Sequence, residues 1–173
     1  AEIRKAAVDR RLDTQLVARQ VASLSQVKQA ERGLLWALVR DPKAGFGVLE
    51  ELDPADLDGL ATGPIIEQAR SLQGLPPESL PDTLIERLNE GEAGLVQEIG
   101  RQSHPPADPI DCVRALKRLR YVRERTEVQR EIDRLQEQGA TRHADAIVAL
   151  WDRKKVLLER IEALMEGATP GGG

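Results

Sequence analysis

Between Pro109 and Pro170 the chain contains no proline, and its apolar residues recur at steps of three and four. Such spacing lines them along one stripe of an α-helix. The pattern breaks once, at Gln138-Gly139-Ala140-Thr141. It predicts a helical hairpin. The first arm runs from Asp111 to Gln138 with Val128, Ile132 and Leu135 inward. The second runs from Thr141 to Leu164 with Ile147, Trp151, Leu157 or Leu158, Ile161 and Leu164 inward. Gly139 suits the position just past the first helix, where the backbone turns left-handed. Each arm would be about 40 Å long at about 1.5 Å per residue. Two helices bury one stripe against each other and leave their flanks open, so such an arm is expected to dock on something else. The apolar stripe thins across Arg123–Glu127, which leaves the continuity of the first arm open.

The remaining sequence reads as short helices. Residues 1–22 suggest two helical pieces, and the polar stretch 23–29 a linker. Ala30 to Val39 carries Leu34, Leu35, Leu38 and Val39 on one face, with Trp36 beside them, and Asp41-Pro42 stops it. A short helix is expected after Gly45 through Phe46, Val48, Leu49 and Leu52. Asp53-Pro54 offers an N-cap and a proline at the first helical position. Further helices start at Thr62-Gly63-Pro64 and at Leu80-Pro81-Asp82, and one more covers Glu92 to Ile99. No segment alternates with period two, so no strand is expected. The fold class is therefore all-α, a small multi-helix bundle (30–104), a Pro-rich joint (105–109) and a long C-terminal helical hairpin (110–166), with a disordered tail at 167–173.

Composition narrows the function. Phe46, Tyr121, Trp36 and Trp151 are the entire aromatic set, so the core must be aliphatic, which suits helix packing. No apolar run is long enough to span a membrane, and the N-terminus lacks a signal-peptide pattern. The single Cys112 excludes an internal disulfide and fits a reducing cytoplasm. Ala1 in place of Met suggests a fragment of a longer protein. The net charge is −4, but it is unevenly spread. Residues 30–109 hold six basic and fifteen acidic side chains, whereas 110–165 hold thirteen basic and ten acidic. An acidic chain is a poor binder of phosphate backbones. The clusters Arg114, Lys117, Arg118, Arg120 and Arg153-Lys154-Lys155 read first as solvated helix faces, then as contacts for an acidic protein surface.

The search for chemistry is negative. His104 and His143 have no ligand partner at metal spacing. Cys112 lacks a histidine partner and reads as a small packing residue. Gly45-Phe46-Gly47 has no strand before it and reads as a loop rather than a phosphate cradle. The pairs Glu50-Glu51 and Asp56/Asp58 fall in acidic segments expected to be solvated, with no pocket to shift one pKa. No catalytic residue, metal site or cofactor is expected.

Several strings resemble the C-terminal helicase-binding domain of bacterial DNA primase. They are Ala30-Glu31-Arg32-Gly33-Leu34-Leu35-Trp36-Ala37-Leu38-Val39-Arg40-Asp41-Pro42, Leu52-Asp53-Pro54-Ala55-Asp56-Leu57, Ile65-Ile66-Glu67-Gln68-Ala69 and Pro81-Asp82-Thr83-Leu84-Ile85-Glu86-Arg87-Leu88, followed by the hairpin. The likeness covers roughly residues 28–166. Arg11-Leu12-Asp13-Thr14-Gln15-Leu16 resembles the end of the preceding RNA-polymerase domain. The resemblance implies a non-catalytic, monomeric adaptor that docks on the N-terminal domain of the hexameric replicative helicase. It would recruit primase to the replication fork and modulate priming and unwinding. The helicase N-terminal domain shares the layout, so a self-associating collar domain is the alternative. A nucleic-acid accessory module using the Arg114–Arg120 cluster is a third reading. For the adaptor, the candidate contact residues are Trp151, Arg153, Lys154, Leu157, Leu158, Ile161 and Leu164. About half of them must pack on the first arm, and core packing is favoured for Trp151.

Overall fold

The computed structural model describes residues 27–167. The readings of 1–22 and of the tail beyond 167 fall outside the described residues. Every regular element among the described residues is helical. Seven α-helices follow in order: α1 (Gln29–Arg40), α2 (Pro42–Gly47), α3 (Gly63–Ser71), α4 (Leu80–Arg87), α5 (Glu90–Gly100), α6 (Pro109–Gly139) and α7 (Ala144–Gly167). Short 3-10 turns at Val48–Glu51 and Pro54–Leu57 join α2 to α3. The chain divides into two compact units between Val113 and Arg114. That division falls inside α6, so the Pro-rich segment lies wholly in the first unit.

Local chemistry sets the helix ends in the first unit. Asp41 leaves helical geometry at φ −140°, as expected of a residue before proline. Its side chain then accepts a hydrogen bond from the Ala44 amide at 3.5 Å, and Pro42 opens α2 at once. The short helix thus begins earlier than expected, because an N-cap Asp and a proline at N1 are already in place. Gly45-Phe46-Gly47, expected as a loop, is the end of this helix. Asp56, expected to be solvated, is 2% exposed. It accepts the Asp53 amide at 2.8 Å and closes the turn around Pro54. Asn89 and Glu92 form a reciprocal capping box at α5, with Asn89 Oδ1 accepting the Glu92 amide at 2.8 Å and Glu92 Oε1 accepting the Asn89 amide at 3.2 Å.

Helix α1 is the centre of this unit. Leu34, Leu35, Ala37 and Leu38 are all buried, and α1 packs mainly against α2 and α5. Full burial of each leucine contributes about 1.5–3 kcal/mol. Trp36 is half-buried and donates its indole N–H to the Gln102 carbonyl at 2.9 Å. The helix also carries a buried charge. Glu31 is 1% exposed. Its Oε2 accepts the Lys28 amide at 3.1 Å, and its Oε1 accepts both the amide (3.2 Å) and the hydroxyl (2.7 Å) of Thr62. One carboxylate therefore serves the N-terminal end of α1 and that of α3, where helix dipoles favour an anion. This bond orders the chain before α1. Val27 is buried and Gln29 already helical, so residues 27–29 are not a linker.

The Pro-rich segment brings the chain back onto α1, where Gln29 Nε2 donates to the Pro106 carbonyl at 3.0 Å. Asp108 Oδ1 accepts the Ile110 amide at 2.9 Å and Pro109 occupies the first position of α6. The first turn of α6 seats Cys112 against Gly33, where an added Cβ would stand 2.5 Å from Cys112 Sγ. At Gly45 the approach is to backbone: a Cβ would lie 2.6 Å from the Ala37 carbonyl carbon. Helix α6 runs unbroken through Arg123–Glu127 to Gly139, whose φ is +132°. The turn spans 140–143, and the second arm starts at Ala144 rather than Thr141.

Two outcomes follow for stability. Gly45→Ala and Gly47→Ala lie in the same helix, but only Gly45 has atoms within 4 Å of its missing Cβ. Helix propensity favours both changes by roughly 1 kcal/mol, while overpacking costs about 1–3 kcal/mol or more. Denaturant unfolding should show Gly47→Ala stabilised and Gly45→Ala destabilised; the same sign for both would reject the close packing. Glu31→Ala strands the buried donors of Thr62 and should cost about 3 kcal/mol, with Glu31→Gln intermediate. A loss below about 1 kcal/mol for the alanine variant would mean that the carboxylate tie contributes little.

Candidate protein-docking surface

The hairpin is held by an aliphatic seam. Val128, Ile132 and Leu135 of α6 meet Ile147 and Leu157 of α7, flanked by Tyr121 and Leu150. Polar bonds run alongside. Arg153 pairs with Glu124 at 3.4 Å, and Glu124 also receives Arg120 at 2.8 Å. Lys154 Nζ donates to Gln129 Oε1 at 2.5 Å. The Arg120 and Arg160 guanidiniums lie 5.4 and 5.6 Å from the Tyr121 ring centroid. Surface pairs of this kind contribute about 0–1 kcal/mol each, so the buried seam dominates the pairing of the arms.

The seven candidate residues divide. Leu157 (1% exposed) and Ile161 (7%) are core. Lys154, Leu158 and Leu164 are half-buried, and Arg153 is exposed. Trp151 is 45% exposed, which corrects the expectation that it packs in the seam. The reason is rotational. The inward stripe is Ile147, Leu150, Lys154, Leu157, Ile161, and Trp151 stands one residue after Leu150, about 100° further round the helix. Lys154 occupies an inward step with its stem while its ammonium lies 4.8 Å from the Trp151 ring centroid.

An open groove follows this flank, lined by Arg125, Thr126, Gln129 and Arg130 of α6 and by Lys154 and Leu158 of α7. Three of the six are cations and none is a carboxylate. Val148 (60% exposed) and Met165 (55%) add apolar surface to α7; neither was singled out from the sequence, although their offset from the inward stripe was available there. The cluster at 114–120 is less free than its sequence suggests, since Arg120 is engaged by Glu124 and Tyr121 and only Arg118 is fully exposed among its four cations.

The remaining titratable candidates are His104, His143 and Cys112. His104 is exposed and His143 half-buried. Among the described residues no group of three or more His, Cys, Asp or Glu side chains could hold a metal ion, and no helix is long and apolar enough to cross a membrane. Cys112 is 1% exposed. Burial, followed by the charges of Asp108 and Asp111, pushes its thiol up to about 11, the opposite of what an activated nucleophile needs.

No protein-family model, curated protein or solved structure matches this chain.

The raised thiol has a consequence for stability. In the fold the thiol keeps its proton to about 11 from an ordinary value of 9.0. Above that ordinary value the unfolded chain loses the proton first, so fewer protons are bound unfolded than folded and stability falls as pH rises. The contribution is complete below pH 9.0 and lost towards pH 11. Relative to Cys112→Ala, the wild-type chain should lose roughly 2–3 kcal/mol across that window. A pH-independent difference between the two unfolding curves would contradict the buried, protonated thiol.

Proposed function

We propose that this chain is a non-catalytic docking domain of the kind found at the C-terminus of bacterial DNA primase, binding the N-terminal domain of the hexameric replicative helicase. In that role it recruits primase to the replication fork and modulates priming and unwinding. The observation that carries this reading is the flank of α7, where Leu158 lines an open groove with Arg125, Arg130 and Lys154, and Trp151 and Met165 are exposed on the same helix. Aromatic and arginine side chains around a partly apolar surface are the usual anchors of protein interfaces. The all-helical order of short bundle and long hairpin, which carries the sequence resemblance, supports the same reading. The family's chemistry belongs to other domains, so this segment acts by contact alone, in the cytoplasm, where replication proceeds.

A self-associating collar domain is the second reading, because an uncovered apolar flank also suits a second copy. Light scattering with and without the helicase N-terminal domain separates the two. A monomer that shifts to a defined complex supports the adaptor. A dimer indifferent to the helicase supports the collar.

Leu158→Asp and Arg153→Glu test the surface. Leu158 is only half-buried and the Arg153 ion pair is exposed, so both variants should keep their helical circular dichroism. Helicase affinity should fall by about 1–2 kcal/mol, roughly five- to thirtyfold, for the leucine variant. The arginine variant should lose less, about 1 kcal/mol, as expected of a rim charge. Wild-type affinity in both would remove both flanks of α7, the Leu158 side and the Arg153 side, from the interface.

A further inference from the structure

Helix α7 carries two stripes, each with the alternating three-and-four spacing of a coiled-coil seam. The first, through Ile147, Leu150, Leu157 and Ile161, faces α6. The second is offset by one residue: Val148, Trp151, Lys155, Leu158, Glu162 and Met165. Four of these six are apolar, and all except half-buried Leu158 are exposed. Single exposed hydrophobics are ordinary. Here the register argues otherwise, since the four share one side of the helix while exposed Val156 stands apart from them.

The second stripe meets the groove between the arms at Leu158. Its α7 wall is apolar at Leu158, and its α6 wall is Arg125, Thr126, Gln129 and Arg130. A third helix laid along this groove would set an apolar seam on α7 and its flanking positions on the cations of α6. We propose that the groove is the docking site for one amphipathic helix of a partner protein, with carboxylates flanking its apolar stripe. Charge selects this occupant. A symmetric pairing with a second copy would bring two sets of Arg125, Arg130, Lys154 and Lys155 into one interface. A nucleic-acid backbone would satisfy the cations but leave Trp151 and Met165 uncovered. The inference rests on the hairpin as a docking surface, as above, and not on the helicase as the partner.

The test uses the full chain carrying Trp36→Phe, so that Trp151 is its one tryptophan. The probes are two fluorescein-labelled three-heptad peptides with leucine at the seam positions, one with glutamate at every flanking position and one with lysine. The glutamate peptide should bind saturably by anisotropy and shift Trp151 emission to the blue; the lysine peptide should bind about tenfold more weakly or worse. The double variant Arg130→Glu/Lys155→Glu, at two exposed positions, should reverse that preference with unchanged circular dichroism. Absent binding of the glutamate peptide, equal binding of both peptides, or a preference that survives the charge reversal would overturn the proposal. So would tighter binding of a labelled DNA duplex at physiological salt, or a dimer in light scattering that Trp151→Asp dissolves. Helicase binding separates the two claims: peptide capture without it leaves the groove proposal standing and sinks the primase reading, and the reverse result sinks the groove alone.

Discussion

The bundle depends on one buried carboxylate. Glu31 is almost fully enclosed, yet both of its oxygens are used by backbone and hydroxyl donors at two helix starts. An unpaired charge in that position would be untenable, whereas one bonded to three donors near two positive helix ends is well placed. The bond joins positions far apart in the sequence and sets where α1 and α3 begin. With α1 placed, its leucines meet α5, and glycines at 33 and 45 let Cys112 and α2 approach closely. No buried side-chain polar atom among the described residues is left without a partner, so polar satisfaction and aliphatic packing agree.

The hairpin follows a different economy. It has few buried residues for its length, and its inward stripe is interrupted by Lys154. The lysine is tolerated because its stem packs while its ammonium finds Gln129 and the Trp151 ring. A second stripe left open beside a basic wall is a poor use of sequence for an isolated pair of helices. It makes sense for a surface meant to be covered, and this is why the docking reading is preferred over a solvated face.

Much of the architecture was legible in the amino-acid order. Period 3.6 announced helices, and proline marked several of their starts, because these signals act through local backbone geometry. The helix end at Gly139 also lies within a residue of where the sequence placed it. Three readings failed. Gly45-Phe46-Gly47 is helical behind the local Asp41-Pro42 start and Asp56 is held by the nearby Asp53 amide, whereas Val27 is buried by the packing of the unit. The exposure of the candidate docking residues was only half legible. A three-or-four spacing admits both Trp151 and Leu150 as inward, and a single residue of offset rotates a side chain by about 100°.

The sequence by itself determined an all-α fold with a long terminal hairpin and an aliphatic core, since periodicity, composition and capping are local or additive properties. Only the tertiary structure decided that Glu31 reaches Thr62, that Cys112 is sealed with its proton, and that Trp151 faces outward beside the Lys154 ammonium. Those outcomes depend on which helix face turns inward, and that is settled by the total apolar area buried when the helices pack together.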